Sequence, residues 1–158
     1  MSHERREITM RFLAQPTDVN FGGKVHGGTM MKWIDEVAYA CASKWSGHYC
    51  VTVHIGDVSF YNPVMIGSLV ELQAKVIYTG TTSMHIGVKV SSSSLRVSNE
   101  SHAVRCLLIF VAVDDHGVPI SVEPWKPVLE EDIALEKFAK DLMKLRKELH
   151  QNLGKFEL

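Results

Sequence analysis

A glycine-rich loop followed at once by an apolar helix is the segment of this 158-residue sequence with the clearest chemical potential. Residues 20–35 read NFGGKVHGGTMMKWID, with four glycines within seven residues. Glycine lets backbone N–H groups approach a ligand closely, and the first four amides of a helix lack intrahelical partners. The amides around Gly27, Gly28 and Thr29 can therefore stabilise negative charge that develops on an oxygen atom.

Asp35 is the first acidic residue after this loop. A helical wheel places it at the border between a polar stripe and a broad apolar arc, so we expect partial burial. It can be an early-turn carboxylate that the helix dipole stabilises, or a group that takes part in catalysis. Because Asp35 follows Gly27 by about two helical turns, a site that uses both would need a second chain.

The elements that must position these residues follow from hydrophobic periodicity. One-sided alternation predicts strands over residues 7–13, 70–76 and 84–90, a two-sided apolar run predicts a central strand over 106–113, and a further strand covers 51–60. In the strand over 51–60 the apolar face changes phase, which predicts a β-bulge near Gly56 or Asp57. Helical spacing predicts a buried helix over 29–45 and an amphipathic terminal helix over about 129–151.

One long apolar helix beside five antiparallel strands predicts an α+β fold in which the sheet wraps the helix. A composition of 46% hydrophobic and 22% charged residues is typical of one domain, here residues 1–158 with a core over about 7–125. A formal net charge of -1 without a basic run disfavours nucleic-acid and anionic-membrane binding.

Export and metal binding are also disfavoured. The opening residues contain no apolar stretch long enough for a signal peptide, and no run of roughly 18 apolar residues occurs, so we expect a cytoplasmic protein. Its three cysteines are odd in number, lack C-x-x-C spacing and lie in apolar runs, as reduced core thiols do. The eight histidines show no zinc-like spacing, so we assign no metal.

The sequence resembles the hotdog-fold acyl-CoA thioesterases, in particular the bacterial acyl-CoA hydrolases similar to the two-domain cytosolic acyl-CoA hydrolase of mammals. The matching positions are Asn20, Gly22, His26 to Gly28, Met31, Asp35, Phe60, Pro63, Gly67, Gly80 to Met84 and Val111 to Val113. The resemblance implies a curved antiparallel sheet around one long helix, and dimers joined edge to edge, often three in a hexamer. Such pairing also removes exposed sheet edges.

The resemblance further implies that Asn20 and Asp35 are the functional pair, contributed to each site by different subunits. Fatty acyl-CoA would be the substrate, and coenzyme A would enter only as part of the substrate and product, without another cofactor. The carbonyl would bind the amides of Gly27 and Gly28, while Asp35 would activate water or attack the carbonyl directly.

The resemblance also implies a second set of residues that bind coenzyme A. Hydroxyls and turn amides can bind its phosphates, and cations can pair with them, although an ordinary hairpin turn with surface cations fits the same pattern. His26 can bind substrate or simply hold the loop by a hydrogen bond. The candidates are His26, Thr81, Thr82, Ser83, Lys89 and Arg96, with Arg105 as a further cation.

Two other functions stay open at this point. A hotdog dehydratase would use His26 as the base on a hydroxyacyl thioester, but Asn20 does not fit that scheme. A non-catalytic acyl-CoA sensor would carry a DNA-binding module, for which the few residues before the first strand leave no room. Ser68, where an acidic residue is common, and the loose Gly22-Gly23 pair depart from the family pattern and leave the acyl-chain preference open.

Overall fold

The computed structural model describes residues 2–97 and 99–155, so residues 1, 98 and 156–158 of the predicted domain lie outside the described part. None of its described helices is both long enough and apolar enough to cross a membrane. The elements are α1 (Ser2–Arg6), β1 (Glu7–Leu13), a 3-10 turn (Pro16–Asp18), α2 (Gly27–Ser46), β2 (Tyr49–Phe60), β3 (Leu69–Thr79), β4 (Ser83–Ser93), β5 (Glu100–Val113) and α3 (Glu130–Leu153).

The five strands form one antiparallel sheet in the order β1-β3-β4-β5-β2. The alternate residues of β4 from Met84 to Val90 face the same side as the apolar stripe of α2, and together they form the core. We call this side the inner face and the opposite side the outer face. The predicted α+β hotdog fold, a sheet wrapped around one long helix, is confirmed.

The two ends of the sheet matter for the site. The hairpin end lies at residues 80–82, which join β3 to β4. The loop end lies opposite, where β4 stops at Ser93 and β3 starts at Leu69. Helix α2 begins at the loop end, because the Val25 N–H donates to the Val64 carbonyl at 2.8 Å, in the segment that leads into β3.

Two details refine the predicted elements. Helix α2 begins at Gly27, two residues earlier than expected. The predicted bulge is confirmed as a register shift between Gly56 and Ser59, with Asp57 at a positive φ of 50°. A second shift lies between Thr52 and His54, where the apolar alternation gave no signal.

The terminal helix α3 packs on the outer face and is attached through a buried ion pair in its first turn. Arg6 Nη2 lies 2.6 Å from Asp132 Oδ1, and the two residues are only 3% and 2% exposed. Arg6 Nε also donates to the Val76 carbonyl at 2.9 Å, and its guanidinium lies 4.0 Å from the Trp125 ring centroid. The pair therefore joins the N-terminal segment, β3 and α3.

Candidate active site

The first turn of α2 presents backbone donors to open space. His26 occupies the N-cap position, but its side chain makes no capping hydrogen bond. Within the described residues, the amides of Gly27, Gly28 and Thr29 have no acceptor, and the first helical bond runs from the Met30 N–H to the His26 carbonyl at 2.9 Å. A Cβ on Gly27 or Gly28 would meet nothing within 4 Å. These amides can therefore bind an incoming oxygen atom.

Asn20 shapes the loop that leads to this helix. Its Oδ1 accepts hydrogen bonds from the Gly22 N–H at 2.9 Å and the Lys24 N–H at 3.3 Å. The His26 N–H donates to the Asp18 carbonyl at 3.0 Å, which fixes the chain just before the helix. The side-chain oxygen Oδ1 of Asn20 thus already accepts two hydrogen bonds, and the Nδ2 group of the same side chain remains free to donate to a ligand.

Asp35 is half-buried and held by a residue that the sequence analysis missed. Thr52 Oγ1 donates to Asp35 Oδ1 at 2.8 Å, from the edge strand β2. This bond orients the carboxylate and leaves its second oxygen without a partner among the described residues. Threonine is common in strands, so the residue type of Thr52 gave no signal. Only the predicted packing of the helix against the sheet pointed to this contact.

One chain does not bring the predicted catalytic residues together. Gly27 and Asp35 are separated by roughly 12 Å of helix rise. Thr52 pairs with Phe110, which pairs with Met84 in the second position of β4, so Asp35 lies towards the hairpin end. Asn20 and the free amides lie at the loop end, which agrees with the expectation that a second chain is needed.

The candidate coenzyme A residues are also dispersed. Thr81 to Ser83 form the hairpin, where the Thr81 and Thr82 carbonyls accept from Val122 at 2.9 Å and Ala112 at 3.1 Å. Lys89 lies six residues further along β4, roughly 20 Å away by strand rise. It is exposed on the outer face, and Arg96 is exposed at the loop end. His26 is exposed as well.

Comparison with known proteins identifies the family. The model of the thioesterase superfamily matches residues 22–98. The acyl-CoA thioester hydrolase YciA of Salmonella typhimurium strain LT2 is 33% identical over 116 residues, which are 72% of this chain and 87% of that relative. The chain belongs to the acyl-CoA thioester hydrolases of the thioesterase superfamily. The family resemblance of the sequence is thereby confirmed.

Solved structures of this family superpose closely on the chain. An apo-hexameric acyl-CoA thioesterase has a TM-score of 0.89 and 33% identity, covering 93% of this chain and 94% of that one. The acyl-CoA hydrolase of Staphylococcus aureus, in complex with butyryl coenzyme A, coenzyme A and coenzyme A disulfide, has a TM-score of 0.86 and 28% identity, covering 96% and 93%. Alanine variants of that enzyme replace an asparagine, an aspartate 15 residues later and a threonine 17 residues after the aspartate.

Proposed function

We propose that this chain hydrolyses the thioester of fatty acyl-CoA to a fatty acid and coenzyme A, with Asp35 as the catalytic carboxylate. The observation that carries the proposal is the hydrogen bond from Thr52, which holds a half-buried acid in one orientation. The spacings support it: Asp35 follows Asn20 by 15 residues and precedes Thr52 by 17, as in the residues altered in the Staphylococcus aureus enzyme.

We infer that two chains share each site through β2. This strand is an open sheet edge, and its Val53 and Ile55 side chains are 54% and 40% exposed. Antiparallel pairing of β2 with β2 of a second copy, about a two-fold axis, removes that edge. It also puts the loop end of one chain beside the hairpin end of the other. The hexameric assembly of similar enzymes supports three such dimers.

Each composite site then contains the complete set of groups. One chain supplies Asn20 and the amides of Gly27 and Gly28, and the other supplies Asp35 and Thr52. The thioester carbonyl oxygen accepts from the amides, where each donor is typically worth 10²–10³ in turnover. Asn20 Nδ2 donates to the attacking water or to the carbonyl.

The reaction uses water and protein groups only. Asp35 accepts a proton from water while the water oxygen bonds to the thioester carbon, and the carbonyl electron pair moves onto the oxygen. When the carbonyl re-forms, the carbon–sulfur bond breaks and the thiolate leaves. The proton held by Asp35 passes to the sulfur, and the carboxylic acid loses its own proton to solvent.

Coenzyme A would follow the same division between chains. Thr81, Thr82 and Ser83 of one chain and Arg96 of the other lie at ends that the pairing brings together, so their hydroxyls, amides and guanidinium can meet the phosphates. Lys89 faces away from α2 and is therefore a less suitable partner for the phosphates.

The buried free thiols of Cys41, Cys50 and Cys106 support the cytoplasmic location predicted from the sequence.

The geometry favours hydrolysis over the dehydratase alternative. A dehydratase base at His26 would need a carboxylate to orient it, and no hydrogen bond or ion pair joins this exposed side chain to an acid among the described residues.

Direct attack by Asp35 on the carbonyl would give a mixed anhydride. A single turnover in ¹⁸O-water separates the two routes, because only the anhydride route can place the label in the Asp35 carboxylate.

The direct test measures release of free thiol from a panel of acyl-CoAs. Asp35→Asn and Asp35→Ala are expected to lower the rate at least about 100-fold, because they remove the proton acceptor. The matched control is Glu36→Gln, which alters the exposed neighbouring acid and should retain the wild-type rate. Unchanged rates in folded Asp35 variants would reject the mechanism, and no hydrolysis of any acyl-CoA by the wild-type protein would reject the function.

Subunit mixing tests the shared site. Asn20→Ala and Asp35→Ala proteins should each be inactive, yet after exchange a hybrid dimer carries one site with both residues intact. Random exchange is expected to recover about a quarter of the wild-type rate. No recovery despite hybrids confirmed by mass spectrometry would show that both residues act within one chain.

A further inference from the structure

A cavity lies on the outer face of the sheet, beneath α3. Its volume is about 350 Å³, within the range of roughly 300–1,000 Å³ that is typical of small-ligand sites. Much of its lining is apolar and comes from β5 and α3. The apolar side chains are those of Leu107, Ile109, Leu142, Met143, Leu145 and Leu149.

Basic side chains from three different elements face the same cavity. They are His54 of β2, His85 of β4 and Arg146 of α3, and Asp57 is the single acidic residue in the lining. Within the described residues, Arg146 has no carboxylate within 4.0 Å. The cavity is therefore mostly apolar, with one guanidinium that forms no ion pair in the described part of the chain.

His85 is the most deeply placed of these groups. It is 6% exposed, and its ring makes an edge contact with Tyr78 at a centroid distance of 4.9 Å. Its imidazole nitrogens have no hydrogen-bond partner among the described residues. These nitrogens are not fully buried, and His85 lines the cavity, so they are available to hydrogen-bond a molecule that occupies it.

The electrostatics indicate which charge is missing. Burial first, then Arg146 and His54, lower the pKa of His85 to about 4. Burial, Arg146 and His150 also lower the pKa of His54. Both imidazoles are therefore neutral at pH 7, Arg146 carries the positive charge that faces this space, and Asp57 forms no ion pair with it. An anion in this space would pair with Arg146.

We propose that this cavity binds an alkyl carboxylate, with its head group among His54, His85 and Arg146 and its chain along the leucines of α3. The charge of the polar region selects the carboxylate, and the apolar lining selects the chain. The site is on the outer face, whereas Asp35 and α2 lie on the inner face, so occupancy does not compete directly with catalysis.

Calorimetric titration of the full chain with hexanoate, octanoate and decanoate tests the proposal. Affinity should rise about fourfold for each methylene that becomes buried. Decyltrimethylammonium, which has the same chain with a positive head group, should not bind at this site. Affinity independent of chain length, or equal binding of the cation, would overturn the assignment.

Two variants localise the binding. Arg146→Gln should weaken decanoate at least tenfold, and Leu149→Glu should abolish binding, because the new carboxylate lies three residues from Arg146 on the same helix face. The matched control is Lys147→Gln, which removes the same charge from an exposed residue of α3 outside the cavity lining. Decanoate affinity equal to wild type in both variants would overturn the proposal.

Parallel assays separate this inference from the proposed function. Arg146→Gln should keep the acyl-CoA hydrolysis rate within about twofold of wild type, since Arg146 lies on the outer face, across the sheet from Asp35. Loss of decanoate binding in Arg146→Gln supports the cavity even if the wild-type protein hydrolyses nothing. If no alkyl carboxylate binds and Arg146→Gln instead changes the assembly mass, an acidic group of another copy occupies the cavity and the proposal is wrong.

Discussion

Removing the carboxylate of Asp132 is expected to lower the free energy of unfolding by about 3 kcal/mol, because it leaves a buried guanidinium without its counter-charge. Truncating one member of a buried pair typically costs about 3–5 kcal/mol. We expect the lower value here because Arg6 keeps the Val76 carbonyl and the Trp125 ring as partners. The matched control is Asp141→Ala, which breaks the exposed pair with Lys137 and should cost under about 0.5 kcal/mol.

Urea unfolding, followed by circular dichroism at one fixed protein concentration, measures these differences, since self-association changes the apparent stability. The double variant Arg6→Met, Asp132→Leu should regain most of the loss, because a packed apolar pair avoids the desolvation cost. The reasoning is refuted if Asp132→Ala unfolds like the control, or if the double variant is less stable than either single variant.

Three further outcomes are expected. Thr52→Val should lower the thioester hydrolysis rate about 10- to 100-fold, the range for losing a hydrogen bond to a charged group, while Thr52→Ser should keep most of it. The folded pKa of His85, about 4 against 6.5 for the free side chain, means that the unfolded chain binds the extra proton. Stability should therefore fall by roughly 3 kcal/mol between pH 7 and pH 4, and His85→Leu should reduce that slope in denaturation curves. Gly47→Ala should cost about 1–2 kcal/mol in thermal unfolding, since Gly47 ends α2 at φ 73°, and Gly47→Asn should cost less.

Local periodicity was sufficient to predict the strands and both long helices. The strand over 7–13 matches β1 in both bounds because one of its faces is partly buried and the other is exposed. The start of α2 was placed two residues late, since Gly27 and Gly28 are poor helix formers. The bulge at Val53 was missed because Val51, Val53 and Ile55 keep an unbroken apolar alternation. The register of β2 against β5 nevertheless shifts between Thr52 and His54.

Contacts between distant residues could not be predicted from local patterns. Asp132 pairs with Arg6, 126 residues earlier, and no local pattern in the sequence indicates that contact. Thr52 gave no distinct signal either, because its importance arises from the helix that crosses its strand. Asp35 was indicated by its position after the glycine loop, whereas Asn20 and its pairing with Asp35 came from the family pattern. Whether they act together remains a prediction for the dimer experiment.

The burial of the cysteines has a consequence for the proposed reaction, whose product is a thiol. Coenzyme A released under mildly oxidising conditions forms mixed disulfides with accessible protein thiols that ionise. Burial raises the pKa of both Cys41 and Cys106 to about 12, and Cys50 is buried too. The chain thus offers its own leaving group no sulfur nucleophile, and turnover should continue where a surface cysteine would be capped by coenzyme A.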